Sequence, residues 1–219
     1  MAYRDGGRII TDGLVLSLDA ADRNSYVSGS TIWRDLSGNN NSGSLTNGPT
    51  FSSANEGSIV FDGVDDFVNT NVLGRAIGTL FSFFNPTVSV NSTFFEGLID
   101  CDTAGQYGQG MGINNGTFQT ILDNGFWDPS VTVDIGKWQM CALTFNSTTA
   151  KFYKNGTLRN TFNYTQGAVT TNNYYIGRSR ANNRFINGRI AIATIYNRVL
   201  SDTEILQNYN AQKSRFGLT

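Results

Sequence analysis

Histidine is absent from the 219 residues, and that absence removes much of enzyme chemistry. Ser-His-Asp and Cys-His catalysis, His-ligated zinc and a histidine pH switch all need an imidazole. Acid–base work then falls to carboxylates, which glycoside hydrolysis needs as a close pair. The glutamates Glu56, Glu96 and Glu204 are far apart in sequence. Asp100 and Asp102 share a face of the strand-like stretch LIDCDT, whereas the adjacent Asp65 and Asp66 would point oppositely in an extended chain. Both pairs also suit strand ends and turns, and the sequence reads as that of a non-enzyme.

Binding chemistry is better supplied. Calcium takes about six to eight hard oxygens, so it favours loops rich in Asp, Asn and exposed carbonyls. Two loops have that composition, one with Asp35 and Asn39, the other with Asp62 and Asp65. Neither has EF-hand spacing, and the same residue types close turns by bonding their own backbone. Calcium is the one cofactor these residues suggest. A sugar site combines an aromatic platform with planar amides and carboxylates. TAGQYGQG and DNGFWDPS offer that mixture, with Tyr107, Asp123, Asn124, Trp127 and Asp128 as the candidate ligand-binding residues. Trp127 lies in a polar, proline-bearing loop; its other reading is a plug at the end of a sandwich. Arg178, Arg180, Arg184, Arg189 and Arg198 fall within 21 residues. They suit an acidic sugar, a neighbouring subunit's carboxylates, or simply solvated strand faces. GRSR lacks the length and the following helix of a phosphate loop.

The elements that must position these residues are strands. GLVLSLD alternates, with Leu14, Leu16 and Leu18 on one face. KWQMCALTFN places Trp138, Met140, Ala142 and Thr144 on one face and Cys141, Leu143 and Phe145 on the other, which suits a central strand. FYKNGTLRNTF reads as a hairpin, because Asn155-Gly156 supplies the positive φ values of a two-residue turn. GRIAIATIYN puts Ile190 and Ile192 one way and Ile195 the other. TLFSFF, TFFEGLID and TFQTILD are further strands, separated by turns such as SGNNNSG and DGVDD. Near the end, Ser201 and Glu204 have capping-box spacing, and Ile205, Leu206 and Tyr209 give a short helix its apolar stripe against the sandwich edge.

Composition agrees with a polar-surfaced, all-β protein. Asn, Gly, Thr and Ser make 90 residues, and charged residues are only 15%. Lys+Arg 16 against Asp+Glu 17 gives a net charge of −1, which argues against nucleic acid or an anionic membrane surface as partner. No run is apolar enough for membrane insertion, and the start MAYRDGGRII has no secretory apolar region. Cys101 and Cys141 sit in apolar strand text and read as buried free thiols. The six N-x-S/T sequons match what chance gives from 25 Asn. One domain is expected, an N-terminal arm over 1–12, a sandwich over 13–210 and a C-terminal tail over 211–219, the ends being free or pairing with a neighbour.

Several blocks, in order, resemble the laminin-G-like, concanavalin A-like jelly-roll family: GLVLSLDAADRNSY with TIWRDLSGNNNSGSL, SIVFDGVDDFVNT, KWQMCALTFNSTTAKFYKNGTLRNTF, and YYIGRSRANNRFINGRIAIATIYNRVLSDTEI. They run from Gly13 to about Tyr209. The resemblance implies an all-β fold of two antiparallel sheets of about six or seven strands packed face to face, with one short C-terminal helix. Phe61, Trp138, Phe145 and Ile190 would then fill the layer between sheets, and Gly63, Gly156 and Gly188 would sit at turns. Some members bind calcium at the rim. The related glycosidases carry Glu-x-Asp-x-Glu on one strand, a pattern this sequence lacks.

The opening block, the start from Met without an export signal and the nearly uncharged polar composition also resemble jelly-roll modules in tailed-bacteriophage virions. That implies a non-catalytic structural or recognition module on the virion exterior, as head decoration or tail or fibre component, assembled in the host cytoplasm. Its partners would be other virion proteins, copies of itself and host surface glycans. The rival reading is a free carbohydrate-binding lectin domain, followed by a glycoside hydrolase.

Overall fold

The structure is a computed structural model that describes residues 7–87, 95–101, 108–122, 125–167, 171–179 and 184–219. In chain order its strands are β1 (Leu14–Asp19), β2 (Ile32–Trp33), β3 (Gly43–Thr46), β4 (Thr50–Ser52), β5 (Ser58–Asp62), β6 (Phe67–Leu73), β7 (Gly78–Pro86) and β8 (Glu96–Asp100). Then come β9 (Gln109–Asn114), β10 (Thr117–Leu122), β11 (Gly125–Trp127), β12 (Gln139–Phe145), β13 (Thr149–Lys154), β14 (Thr157–Asn163), β15 (Asn173–Ile176) and β16 (Asn187–Tyr196). A single α-helix among the described residues, α1 (Asp202–Gln212), leads into a 3-10 turn at Lys213–Phe216.

The strands form two antiparallel sheets of a jelly-roll sandwich. The first has the order β14-β13-β12-β7-β16-β5-β4, with β1 also on β16; the second runs β11-β10-β9-β8-β15-β6-β3-β2. Each has eight strands, more than expected, because strands as short as β2, β4 and β11 extend the edges. Phe61, Phe84, Phe145 and Ile190 of the first sheet meet Val68, Met111, Phe118 and Ile176 of the second in the layer between them.

A second apolar layer lies on the far side of the first sheet. There Phe81, Phe83, Met140 and Ile192 pack under Ile205 and Tyr209 of α1 and Phe216 of the following turn. Trp138 belongs to this outer layer and not to the one between sheets. Its alternation with Met140 and Ala142, opposite Cys141 and Phe145, carries it there. The helix therefore covers the face of a sheet, not an edge. Its capping box is formed by Ser201 and Glu204. Arg198 bonds the Glu204 carboxylate at 2.6 and 3.0 Å and holds its pKa down at about 2. Leu206, expected in the buried stripe, is 44% exposed.

Bulges change which residues share a face, since one extra residue reverses the alternation beyond it. A register shift between Leu14 and Leu16 turns Leu14 to the outer layer while Leu16 and Leu18 stay between the sheets. Another, between Ile190 and Ile192, sends Ile192 outward and leaves Ile190 with Ile195 inside. Gly188 lies within β16 and not at a turn; a Cβ there would stand 2.6 Å from Asn85 O. The hairpin at Asn155 (φ 49) and Gly156 (φ 75) forms as the sequence implies.

The described parts of both chain ends lie on the first sheet's outer side. Asn208 Oδ1 accepts the Ile10 N–H at 2.8 Å, Tyr196 Oη–H donates to Ile10 O at 3.0 Å, and Leu218 packs on the outer layer. Both thiols are buried, and neither is in a disulfide. No helix among the described residues is long and apolar enough to cross a membrane.

Candidate functional site

Register sets what each face of the second sheet presents. One cross-strand row runs Trp127, Thr120, Met111, Ile99, Ile176, Val68 and Leu45 and faces the first sheet. The neighbouring row runs Phe126, Ile121, Gly110, Asp100, Tyr175, Asn69, Ser44 and Ile32, and it faces outward. No helix among the described residues covers this second row.

Its β15–β6–β3 portion is polar and open. Along FVNTNVL, Val68, Thr70 and Val72 are buried while Asn69, Asn71 and Leu73 are exposed. The side chains of Asn69, Asn71 and Asn173 have no hydrogen-bond partner among the described residues. At one end of this strip the rings of Phe67 and Tyr175 meet edge to face, with centroids 5.9 Å apart. The Arg178 guanidinium lies over both, 3.9 Å from the Tyr175 centroid and 4.3 Å from that of Phe67. Burial draws the Arg178 pKa below its ordinary value; Tyr175 and Asp100 oppose that shift.

Beside this strip the sheet closes. Asp100 is fully buried, and its carboxylate leans over Gly110, where a Cβ would collide with it. Glu96 is 5% exposed, and burial pushes its pKa up to about 7. Asp102, the expected partner of Asp100, lies outside the described residues.

The expected sugar-binding set fares differently. Tyr107, Asp123 and Asn124 lie outside the described residues. Trp127 is in β11 and turns inward, its ring 5.7 Å from that of Phe162. It is packed against the core as a plug, and its neighbour Phe126 is the outward ring, 46% exposed. Asp128 is exposed and closes a local turn, accepting the Ser130 N–H at 2.6 Å.

The two candidate metal loops also separate. Asp35 Oδ1 accepts the N–H groups of Ser17 (2.9 Å) and Ser37 (2.8 Å), and Oδ2 accepts Ser37 Oγ–H (2.7 Å) and Asn41 N–H (3.0 Å). Asn39 and Asn41 donate to carbonyls of β1, with Asn39 on Leu14 O and Asn41 on Val15 O. Asp35 and Asn39 thus seal the free edge of β1. Asp62 and Asp65 do come together, with Asp66, their carboxylate oxygens all within 4.8 Å. Asp62 Oδ1 accepts the Val64 N–H at 2.8 Å and Asp66 Oδ2 the Asp62 N–H at 3.0 Å. Burial raises the Asp66 pKa, and the charges of Asp62 and Asp65 add to it. The carboxylate oxygens left over are hard donors of the kind calcium takes, fewer than its full shell.

Among the described residues the arginines form no single patch. Arg178 lies on the second sheet's rings, Arg189 is 5.5 Å from the Trp138 ring, Arg198 pairs with Glu204 and Asp12, and Arg180 lies outside the described residues. Arg184 is half-buried, and its carbonyl accepts the Ser179 N–H at 2.9 Å. A cleft of about 680 Å³ opens beside the chain ends, with Ile9, Leu14, Asp19, Ile192 and Arg215 in its lining. Arg215 is already engaged there, with Asp19 at 2.6 Å, Asn55 O at 2.7 Å and Gly57 O. That lining is part of what ties the C-terminal turn to the sheet.

These elements define a two-sheet jelly roll, and comparison with known proteins agrees. Residues 101–206 match the family model described as Concanavalin A-like lectin/glucanases superfamily. A search of curated proteins finds no match. Among solved structures, domain 4 of an extracellular GH43 arabinanase from Geobacillus stearothermophilus, in complex with arabinotriose, has TM-score 0.71 and 13% identity, over 91% of this chain and 98% of that one. The binding domain of Paraclostridial Mosquitocidal Protein 1 has TM-score 0.69 and 16% identity over 91% of this chain and 52% of that one. A Trypanosoma rangeli sialidase mutant displaying trans-sialidase activity has TM-score 0.72 and 16% identity over 98% of this chain and 35% of its own. The chain thus spans about half of the mosquitocidal binding domain and about a third of the sialidase. Likeness at these identities concerns the fold.

Proposed function

We propose that this chain is a non-catalytic carbohydrate-recognition module that binds glycans on the outer strip of its second sheet. One observation carries the reading: the exposed, unpartnered amides of Asn69 and Asn71 stand in line beside the half-buried rings of Tyr175 and Phe67. Amides donate to and accept from sugar hydroxyls, and ring faces and edges take the apolar side of a sugar. The sugar-bound arabinanase domain of the same fold supports this reading by analogy. The absence of histidine and the burial of Asp100 support a binding role over hydrolysis.

The setting proposed for this module is the exterior of a tailed-phage virion, on the strength of the sequence resemblance alone. Many weak copies on a particle would bind a cell surface by avidity. A broad glycan array probed with the purified chain tests the binding reading. Saturable binding that is lost in Tyr175→Ala and kept in Asp128→Ala is expected; an array without any bound sugar ends it. Peptide mass fingerprinting of purified virions tests the location.

A further inference from the structure

We infer that the strip reads the flank of a linear, uncharged polysaccharide and not a chain end, a conclusion that rests on the carbohydrate role proposed above. Length is the first argument. From Phe67 to Leu73 the outer face of β6 extends about 20 Å at the usual rise of a strand. Its contact points recur at every second residue, Phe67, Asn69, Asn71 and Leu73. A single sugar ring covers only part of such a run, whereas a chain laid along it meets every point.

Shape is the second argument. Ser44 of β3 and Asn69 of β6 are both exposed in the same cross-strand row, which ends at the exposed Ile32 of β2. Asn71 and Leu73 are exposed along the same face of β6. Recognition of a chain end needs enclosure, with most of the end group buried; a flat row suits the side of a continuous chain.

Charge is the third argument. Between Phe67 and Leu73 the outward residues of β3, β6 and β15 include Ser44, Thr46, Asn69, Asn71, Asn173 and Tyr175, none of them charged. Charges of both signs stand at the Phe67 end, while beyond the other end Arg75 follows β6 and the exposed Arg34 follows β2. At the Phe67 end Arg178 is laid on the two rings, and the exposed Asp62 and Asp65 occupy the turn that leads into β6. A polyanion would run from the guanidinium into those carboxylates, and a polycation would meet the reverse; an uncharged chain meets neither penalty.

Calorimetry of the full chain with neutral arabino-, xylo- and cello-oligosaccharides, from single rings to hexamers, tests this, with oligogalacturonates as the charged series. At least one neutral series is expected to gain about tenfold in affinity from dimer to tetramer and then to level off. Asn71→Ala, distant from the rings, should flatten that gain while leaving the melting temperature in place; Tyr175→Ala should weaken every length. Equal affinity for single rings and hexamers, or binding confined to the charged series, overturns the inference and leaves the carbohydrate role standing. Failure of every sugar, on the array as well as here, overturns both.

Discussion

The two outer faces of this sandwich obey the same alternation and end in opposite states. On the first sheet the outward positions are Phe81, Phe83, Met140 and Ile192, and a helix with its 3-10 extension lies over them. On the β6 and β3 part of the second sheet they are Asn69, Asn71 and Ser44, and they stand in solvent. Period two fixes only that a residue points outward. The chemistry at those positions then decides whether the fold must cover them. An apolar outer face drives a helix onto it, whereas an amide face costs nothing left bare and stays available to a ligand.

Substitutions on the two faces should separate stability from binding. Phe83 stacks on Phe216 at 4.6 Å and faces Tyr209 at 6.1 Å. Phe83→Ala is expected to lose about 3–5 kcal/mol in chemical denaturation; a loss below about 1 kcal/mol would mean that the helix is only loosely seated. Glu96 gives a smaller, pH-dependent effect. Its pKa rises from 4.5 to about 7 on folding, so the native state holds the extra proton between those values. Its contribution is therefore intact below pH 4.5 and lost as pH climbs through about 7. Glu96→Gln should stabilise by roughly 1–3 kcal/mol at pH 8 and by almost nothing at pH 4 in paired melts; equal shifts at both would refute this origin. Smallest of all, Asn69→Ala should alter stability by less than about 0.5 kcal/mol while weakening sugar binding. A large destabilisation there would make the strip structural and dissolve the contrast between the faces.

Much of this was legible beforehand. The central strand around Cys141, the Asn155-Gly156 hairpin and the Ser201–Glu204 cap follow from local spacing, because each depends on near neighbours in the chain, whereas the jelly-roll class came with the family resemblance. What misled the reading depends on distant ones. Bulges at β1 and β16 reverse the side taken by Leu14 and Ile192, and nothing in the alternation announces them. From the sequence Trp127 reads as a loop ring, either a sugar platform or a plug at the sandwich end. Pairing with Thr120 makes it a strand residue, and the next residue along, Phe126, takes the outside. Asp35 and Asn39 are engaged on the edge of β1, which the sequence does not announce. Calcium and an unpaired strand edge ask for the same oxygen- and amide-bearing side chains, and only the tertiary partner tells them apart. The signal that locates the strip, FVNTNVL, was there as plain alternation of apolar and amide residues.

Both described ends of the chain, with Ile10 and Leu218, are bound to the helix-bearing side of the sandwich. The amide row of the second sheet faces the opposite way, so a tether fused at either described end would leave that row uncovered.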